Sequence, residues 1–407
     1  MKKKSLLTVV IVVIMLTGIL SVVSACAQEG EFSTWDISNG SNKITASFTD
    51  NGNYGFILTI QGSGALRDYA SAKDSPWYGK SGRVTEIRIS DGITYIGNNS
   101  FPYCFATKAV VLPASVTAIG EKVVPSTSKI YAYSNITAQD KTNVYVYSEY
   151  MPVTAGNFWH MVGDTIVEWP VVDTTLKILF VGNSYTYYND MPEKIFEPLA
   201  KAAGANISVT SLTKGSHRLS EWANPDDSEG KKLYAALDGS SDYAMIVLQD
   251  QSTAPVADNA NFLSGVKTLS AKINATQTNC SIYLYETWGS PAYGGNYGGI
   301  PQMEAKLRTA YEGAAAEIGA TVSYVGKAFT YVWETYDLEH YSENNSPYWL
   351  YQNDNTHPLY LGSYLAACVH MATILRLDPR TSDYYGNLDE TTAKLMQEIA
   401  YNIVFGA

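Results

Sequence analysis

The sequence predicts two folds in series: an α/β domain with a doubly wound, parallel five-stranded sheet over residues 173–407, preceded by a short β-rich solenoid over residues 26–150. Three observations predict this. Beyond residue 176, short apolar runs alternate with amphipathic helical patterns, as in a parallel sheet with crossover helices. Before residue 150, one pattern recurs at a fixed offset of 23 residues, which marks a solenoid. The composition, 46% hydrophobic and 16% charged in 407 residues, belongs to a globular chain with room for about two or three domains.

The first residues form a targeting segment and stand outside the fold. Lys2, Lys3 and Lys4 precede an apolar core at 6–22 and the stretch "VSAC" at 23–26. Small residues before a cysteine at that place resemble the lipobox of bacterial lipoproteins. The resemblance implies cleavage of a 1–25 signal peptide and lipidation of Cys26. The apolar run is also nearly long enough to serve as an uncleaved anchor. Either way the remainder is expected outside the cytoplasm, at the cell surface or secreted. Removing residues 1–25 takes away three lysines and moves the formal charge from -11 to -14. So acidic a chain lacks the basic footprint that nucleic acid needs. Cys104, Cys280 and Cys368 are too few and too scattered for a disulfide framework or a metal knuckle, and no metal is expected.

In the solenoid, "TEIRISDGITYIG" (85–97) is echoed by "KAVVLPASVTAIG" (108–120). Ile87 matches Val110, Ile89 matches Leu112, Ile93 matches Val116, Ile96 matches Ile119 and Gly97 matches Gly120. The alternation in Ile87/Ile89 and Val110/Leu112 predicts one short strand per repeat with one face inward. A weaker echo is "KIYAYSNIT" (129–137). The pattern in "ITYIGNNSF" (93–101) resembles leucine-rich repeats of the BspA type, and residues 55–79 resemble the cap that precedes them. So short a stack buries little core and is expected to lean on its cap. Residues 138–172 show little periodicity and read as a last cap followed by a linker at 151–172.

In the α/β region the expected strands are "KILFV" (177–181), "ISVTSL" (207–212), "AMIVLQ" (244–249), "SIYLYE" (281–286) and "TVSYVG" (321–326). Residues 190–204 read as a helix with Asp190 and Glu193 at capping-box spacing, Gly204 as its stop and Pro198 as a kink. Residues 303–319 read as an amphipathic helix with Leu307, Tyr311, Ala314 and Ile318 on one stripe. Sites in such sheets lie beyond the carboxyl ends of the strands. Ser184, in "VGNSY", stands just past the first strand.

A serine hydroxyl needs a base, and the chain has five histidines: His160, His217, His340, His357 and His370. His160 falls in the expected linker, His370 in an apolar helical run, and His340 has no obvious partner. His217 reads as a cleft-lining residue. His357, in "NDNTHPLYLGSYLAA" (353–367), has Asp354 three residues before it. That spacing lets a carboxylate reach Nδ1–H and leave Nε2 for a nucleophile.

"GNSY" after a first strand, with "DxxHP" near the end of an α/β domain, resembles the SGNH (GDSL-type) esterases, in their branch reading "FxGNSYT". The resemblance covers residues 175–378. It implies a flavodoxin-like strand order, Ser184 as nucleophile, His357 as base, Asp354 as its acid, and no cofactor. It implies an oxyanion hole from the N–H groups of Ser184 and Gly215, the latter in "TKGSHRL", and from an asparagine after the third strand. The chain departs from the pattern there: "VLQDQS" (247–252) places Gln251 at that position, with Gln249 as a competitor. Trp288, Tyr348 and Trp349, in loops expected beside the site, either present flat faces to sugar rings or pack the loops. The expected substrate is an acylated carbohydrate or another small ester. The contrasting expectation is a surface binding protein whose repeats hold a cell-surface ligand beside a silent second domain.

Overall fold

The computed structural model describes residues 34–38, 43–52, 54–139, 141–150, 152–169, 175–239, 242–277, 279–341 and 345–406. The expected lipidation site, Cys26, lies outside them. The chain divides into two compact units, Met1–Pro152 with Gly156–Val171, and Val153–Ala155 with Val172–Ala407. No helix among the described residues is long and apolar enough to cross a membrane.

In the first unit, strands Thr34–Asp36, Ile44–Asp50, Phe56–Gly62 and Val84–Ile89 form one sheet, and Gly64–Ala65, Ile93–Ile96 and Ala118–Ile119 a narrow parallel one. The 23-residue offset is a physical register: Tyr95 pairs with Ala118 and Ile96 with Ile119. The same offset recurs in hydrogen bonds. Thr107 Oγ1 donates to the Val84 carbonyl at 2.8 Å, and the Gly92 N–H to Ser115 Oγ at 3.0 Å. Each repeat therefore makes two strands, a longer one and the "ITYI" one, rather than the single strand expected. Glycine recurs at 97 and 120 because a Cβ would collide with the Arg67 carbonyl at the first and with Asn98 at the second. Ile87, Ile93, Ile96, Val110, Leu112, Val116 and Ile119 share a core with Trp77 and Phe101, and Trp77 comes from the cap.

A third sheet of this unit corrects the expected linker at 151–172. Strands Ala109–Leu112, Lys129–Ala132 and Val144–Tyr147 run parallel, and a hairpin of Phe158–Val162 and Thr165–Glu168 completes the sheet. Strands of four or five residues carry too few alternations to be seen in sequence. Trp159 and Ile166 anchor the hairpin by burial.

The second unit has strands β1 (Leu176–Gly182), β2 (Ile207–Thr213), β3 (Tyr243–Leu248), β4 (Ser281–Tyr285) and β5 (Thr321–Ser323). All pair in parallel, in the order β2-β1-β3-β4-β5. This is a doubly wound order in which the strand order reverses between β1 and β3, where sites form in such sheets. A single turn, α1 (Ser184–Tyr187), leaves β1. The longer helices are α2 (Asn259–Thr276), α3 (Ile300–Ile318), α4 (Val325–Thr335), α5 (Tyr360–Ile374) and α6 (Glu390–Val404). Alternate β1 side chains enter opposite cores. Ile178 and Phe180 pack with residues of α4, α5 and α6, and Leu179 and Val181 with residues of α2 and α3. In α3 the expected stripe holds: Leu307, Tyr311 and Ala314 are buried, and Gly319, at φ +68°, ends the helix.

The segment after α1 differs from expectation. Asp190 is left-handed, at φ +50°, and makes no capping bond. Residues Met191–Phe196 form a wider π turn, closed by the Glu197 N–H on the Pro192 carbonyl, before the helix Glu197–Ala202. Pro198 has no N–H for an ordinary α ladder, and the wider turn absorbs the defect. Gly204, at φ +89°, lies just past the end of that helix, as expected.

Candidate active site

The end of β1 is shaped by Asn183 and Gln249. A Cβ at Gly182 would collide with Thr186 Oγ1 and Gln249 Oε1, so the turn requires glycine. Gln249 is fully buried; its Oε1 accepts from the Asn183 N–H at 2.9 Å and from Thr186 Oγ1 at 2.8 Å. Its Nε2 donates to Asn183 Oδ1 at 3.0 Å and to the Asp250 carbonyl. Asn183 Nδ2 in turn donates to the His217 carbonyl at 3.0 Å. Gln249 thus spends its amide on the turn that presents Ser184, which leaves Gln251 as the glutamine candidate for oxyanion binding.

The segment 350–359 folds back on itself. The Gln352 N–H reaches the His357 carbonyl, and the Leu359 N–H the Leu350 carbonyl, each at 2.8 Å. Within this loop Asp354 Oδ1 accepts from the Thr356 and His357 N–H groups, at 3.0 Å each. Its Oδ2 lies 2.5 Å from His357 Nδ1, and His357 Nε2 lies 2.8 Å from Ser184 Oγ. Burial pushes the Asp354 carboxyl up, but the bonds from the His357 ring and the two N–H groups outweigh it and hold it below the usual aspartate range. An ionised Asp354 binds the proton on Nδ1, so Nε2 presents its lone pair to the Ser184 hydroxyl. Ser184 Oγ, the imidazole and the carboxylate thus form one hydrogen-bonded chain.

The other four histidines lie elsewhere. His217 Nε2 is 3.0 Å from Asp227 Oδ1, and His340 Nδ1 is 3.1 Å from Asp337 Oδ1. His160 is on the solenoid hairpin and stacks on Trp169 at 3.9 Å. His370 is fully buried in α5, 2.8 Å from Ser323 Oγ, and burial drives its pKa down to about 3.

Among the described residues, the N–H groups of Ser184 and Gly215 have no hydrogen-bond acceptor within the protein. Gln251 Oε1 caps the turn at 254–257, accepting from the Thr253 N–H at 3.1 Å and the Ala254 N–H at 3.2 Å. That capping fixes the amide's orientation. Its Nε2 donates to Ser252 Oγ at 2.7 Å, and an amide nitrogen carries a second hydrogen.

Of the two readings for Trp288, Tyr348 and Trp349, facing sugar or packing the loops, the structure shows packing. Trp288 is fully buried, stacked on Tyr185 at 4.0 Å and on Phe329 at 4.3 Å, and its Nε1 donates to the Thr356 carbonyl at 3.0 Å. Trp349 is buried against Trp333 and Tyr351, and the half-buried Tyr348 stacks on Tyr336 at 3.9 Å. These rings are loop core, because aromatic faces this close to the sheet are drawn into its apolar interior. The loop that carries Trp288 does border the site: the Ala292 N–H donates to the Asn355 carbonyl at 3.1 Å. Sequence reasoning missed Tyr185 and Tyr188. Tyr185 Oη is 2.7 Å from Thr356 Oγ1, and the Tyr188 ring lies parallel over His357 at 4.3 Å. Their only sequence signal is the run of tyrosines in "SYTYY" directly after Ser184.

No protein-family model matches the chain, and no curated protein matches it. Among solved structures it is similar to a candidate SGNH hydrolase of Slackia heliotrinireducens, with 27% identity, 49% of this chain and 100% of that chain covered, and a TM-score of 0.41. It is similar to a DUF4886 family protein of Bacteroides uniformis, with 17% identity, 57% and 96% covered, and a TM-score of 0.48. A leucine-rich repeat protein of Eubacterium ventriosum matches with 18% identity, 37% and 54% covered, and a TM-score of 0.22.

Proposed function

We propose that the second unit is a serine esterase that removes acetyl or other short acyl groups from carbohydrates. The observation that carries this reading is the continuous chain from Ser184 Oγ through His357 to Asp354, with contacts of 2.8 and 2.5 Å. In the reaction, His357 Nε2 takes the Ser184 proton as Oγ attacks the ester carbonyl. The resulting imidazolium is stabilised by Asp354. The oxyanion is held by the N–H groups of Ser184 and Gly215 and the free hydrogen of Gln251 Nε2. The tetrahedral species then collapses; His357 returns the proton to the leaving alcohol, and an acyl-Ser184 remains. Water, deprotonated by His357, releases the acid and restores the hydroxyl. Every proton is handled by these side chains.

For a sugar ester the support is the rim beside Ser184. Tyr187 is 38% exposed there, and its ring is backed by Tyr188 at 5.6 Å with an angle of 16° between their planes. An exposed ring with an apolar face and a polar tip, as Tyr187 has, suits a pyranose surface. The chain is proposed to act outside the cytoplasm, held at the membrane by lipid on Cys26. The test is hydrolysis of p-nitrophenyl acetate, then of acetylated xylan, by wild type and Ser184→Ala. Loss of hydrolysis in the variant is expected; equal rates overturn the esterase reading.

A further inference from the structure

We infer that Tyr188 is a positioning residue for His357, holding the imidazole by its face, and that Asn189 fastens Tyr188 in place. The inference rests on His357 being the base proposed above. The Tyr188 ring lies parallel to the imidazole, with centroids 4.3 Å apart and 12° between planes. Tyr185 meets the same imidazole edge-on, at 5.9 Å and 78°. The bond to Asp354 fixes one corner of the imidazole; the two tyrosines limit its rocking about that corner.

The backbone that delivers Tyr188 is unusual. Asn189 (φ +59°) and Asp190 (φ +50°) are consecutive left-handed residues, a conformation that survives only when its surroundings impose it. Asn189 Nδ2 donates to Ser363 Oγ at 2.8 Å and to the Pro358 carbonyl at 3.3 Å. Pro358 follows His357 directly, and Ser363 stands in the first turn of α5. The strained turn is thus tied to the segment that carries the base. Nucleophile, stacking ring and clamp all lie within residues 184–189, so a shift of His357 relative to Ser184 must break the stack or the clamp.

The stack also has an electronic consequence. A tyrosine face is electron-rich and attracts a cation. The imidazole is neutral before the proton leaves Ser184 and positive after, so the attraction grows toward the transition state and acts on kcat. Phenylalanine offers the same face, and no protein group among the described residues pairs with the Tyr188 hydroxyl.

The experiment measures kcat and KM of the full chain on p-nitrophenyl acetate for wild type, Ser184→Ala, Tyr188→Phe, Tyr188→Ala and Asn189→Gly. Glycine at 189 accepts the left-handed backbone but removes the clamp. Thermal melts accompany each variant, and comparison is made well below the lowest melting temperature. The expected result is a dead Ser184→Ala and a Tyr188→Phe within about twofold of wild type. Tyr188→Ala should lose about 3- to 30-fold in kcat with KM little changed. Asn189→Gly should fall in the same direction. A dead Ser184→Ala with an unimpaired Tyr188→Ala, or with a loss confined to KM, or with Tyr188→Phe as poor as Tyr188→Ala, overturns the positioning role alone. An active Ser184→Ala overturns the base and the positioning role together.

Discussion

Replacing Asp354 by asparagine should disable the chain by reversing one proton. Asp354 Oδ1 accepts two backbone N–H groups at 3.0 Å each, so that position must remain an acceptor. The asparagine carbonyl oxygen therefore takes the Oδ1 place, and its NH₂ takes the Oδ2 place facing His357 Nδ1. A donor there forces Nδ1 to accept, and the ring proton moves to Nε2. Nε2–H then points at Ser184 Oγ, 2.8 Å away in the native geometry, and cannot take its proton. A wrong tautomer in an otherwise intact triad costs roughly 10⁴-fold in kcat. At about 1.36 kcal/mol per decade this is about 5.4 kcal/mol of transition-state stabilisation. The assay is kcat on p-nitrophenyl acetate near neutral pH, with a thermal melt to show that the loop still folds. A folded Asp354→Asn that loses less than about tenfold would refute the tautomer argument.

Two further outcomes follow from the same geometry. Gln251→Glu keeps the oxygen that caps residues 253 and 254 but removes the NH₂. If that nitrogen serves the oxyanion, kcat should fall by about 100- to 1000-fold with little change in melting temperature, whereas an unchanged kcat removes Gln251 from the site. His370 is held neutral by burial, with its pKa near 3, while in the unfolded chain it titrates near 6.5. The unfolded state binds the extra proton between these values, so this contribution to stability is complete above pH 6.5 and is lost as pH falls toward 3. Buried Asp250 and Glu286, whose pKa values burial raises, act in the opposite sense. The contrast between wild type and His370→Asn isolates the histidine. The wild type should lose more stability to denaturant between pH 6.5 and 4 than the variant, and parallel curves would contradict this.

Much of the α/β unit was legible because its strands are apolar runs bounded by turn residues, and a parallel sheet leaves little freedom in where they go. That Ser184, Asp354 and His357 come together was legible because two short motifs, far apart in sequence, fall at strand and loop ends. The interior of the loops was not. Whether Trp288 faces sugar or core depends on Tyr185 and Phe329, and nothing local in "TWGSP" reveals that they stack on it. The hairpin at 158–168 is held by Trp159 and Ile166 through contacts with distant strands, and its short strands carry no period. The π turn at 191–196 follows from Pro198, but sequence shows only that a defect must occur, not which ladder absorbs it.

The most direct test of the account is covalent. Diethyl p-nitrophenyl phosphate is attacked by an activated serine, which becomes phosphorylated as p-nitrophenolate leaves. The full chain, incubated with this reagent and digested, should carry one diethyl phosphate on the peptide containing Ser184. Labelling should track the loss of esterase activity and be absent in His357→Ala. A label on another residue that tracks the same loss, or full inactivation with Ser184 unmodified, would contradict the claim that Ser184 is the nucleophile.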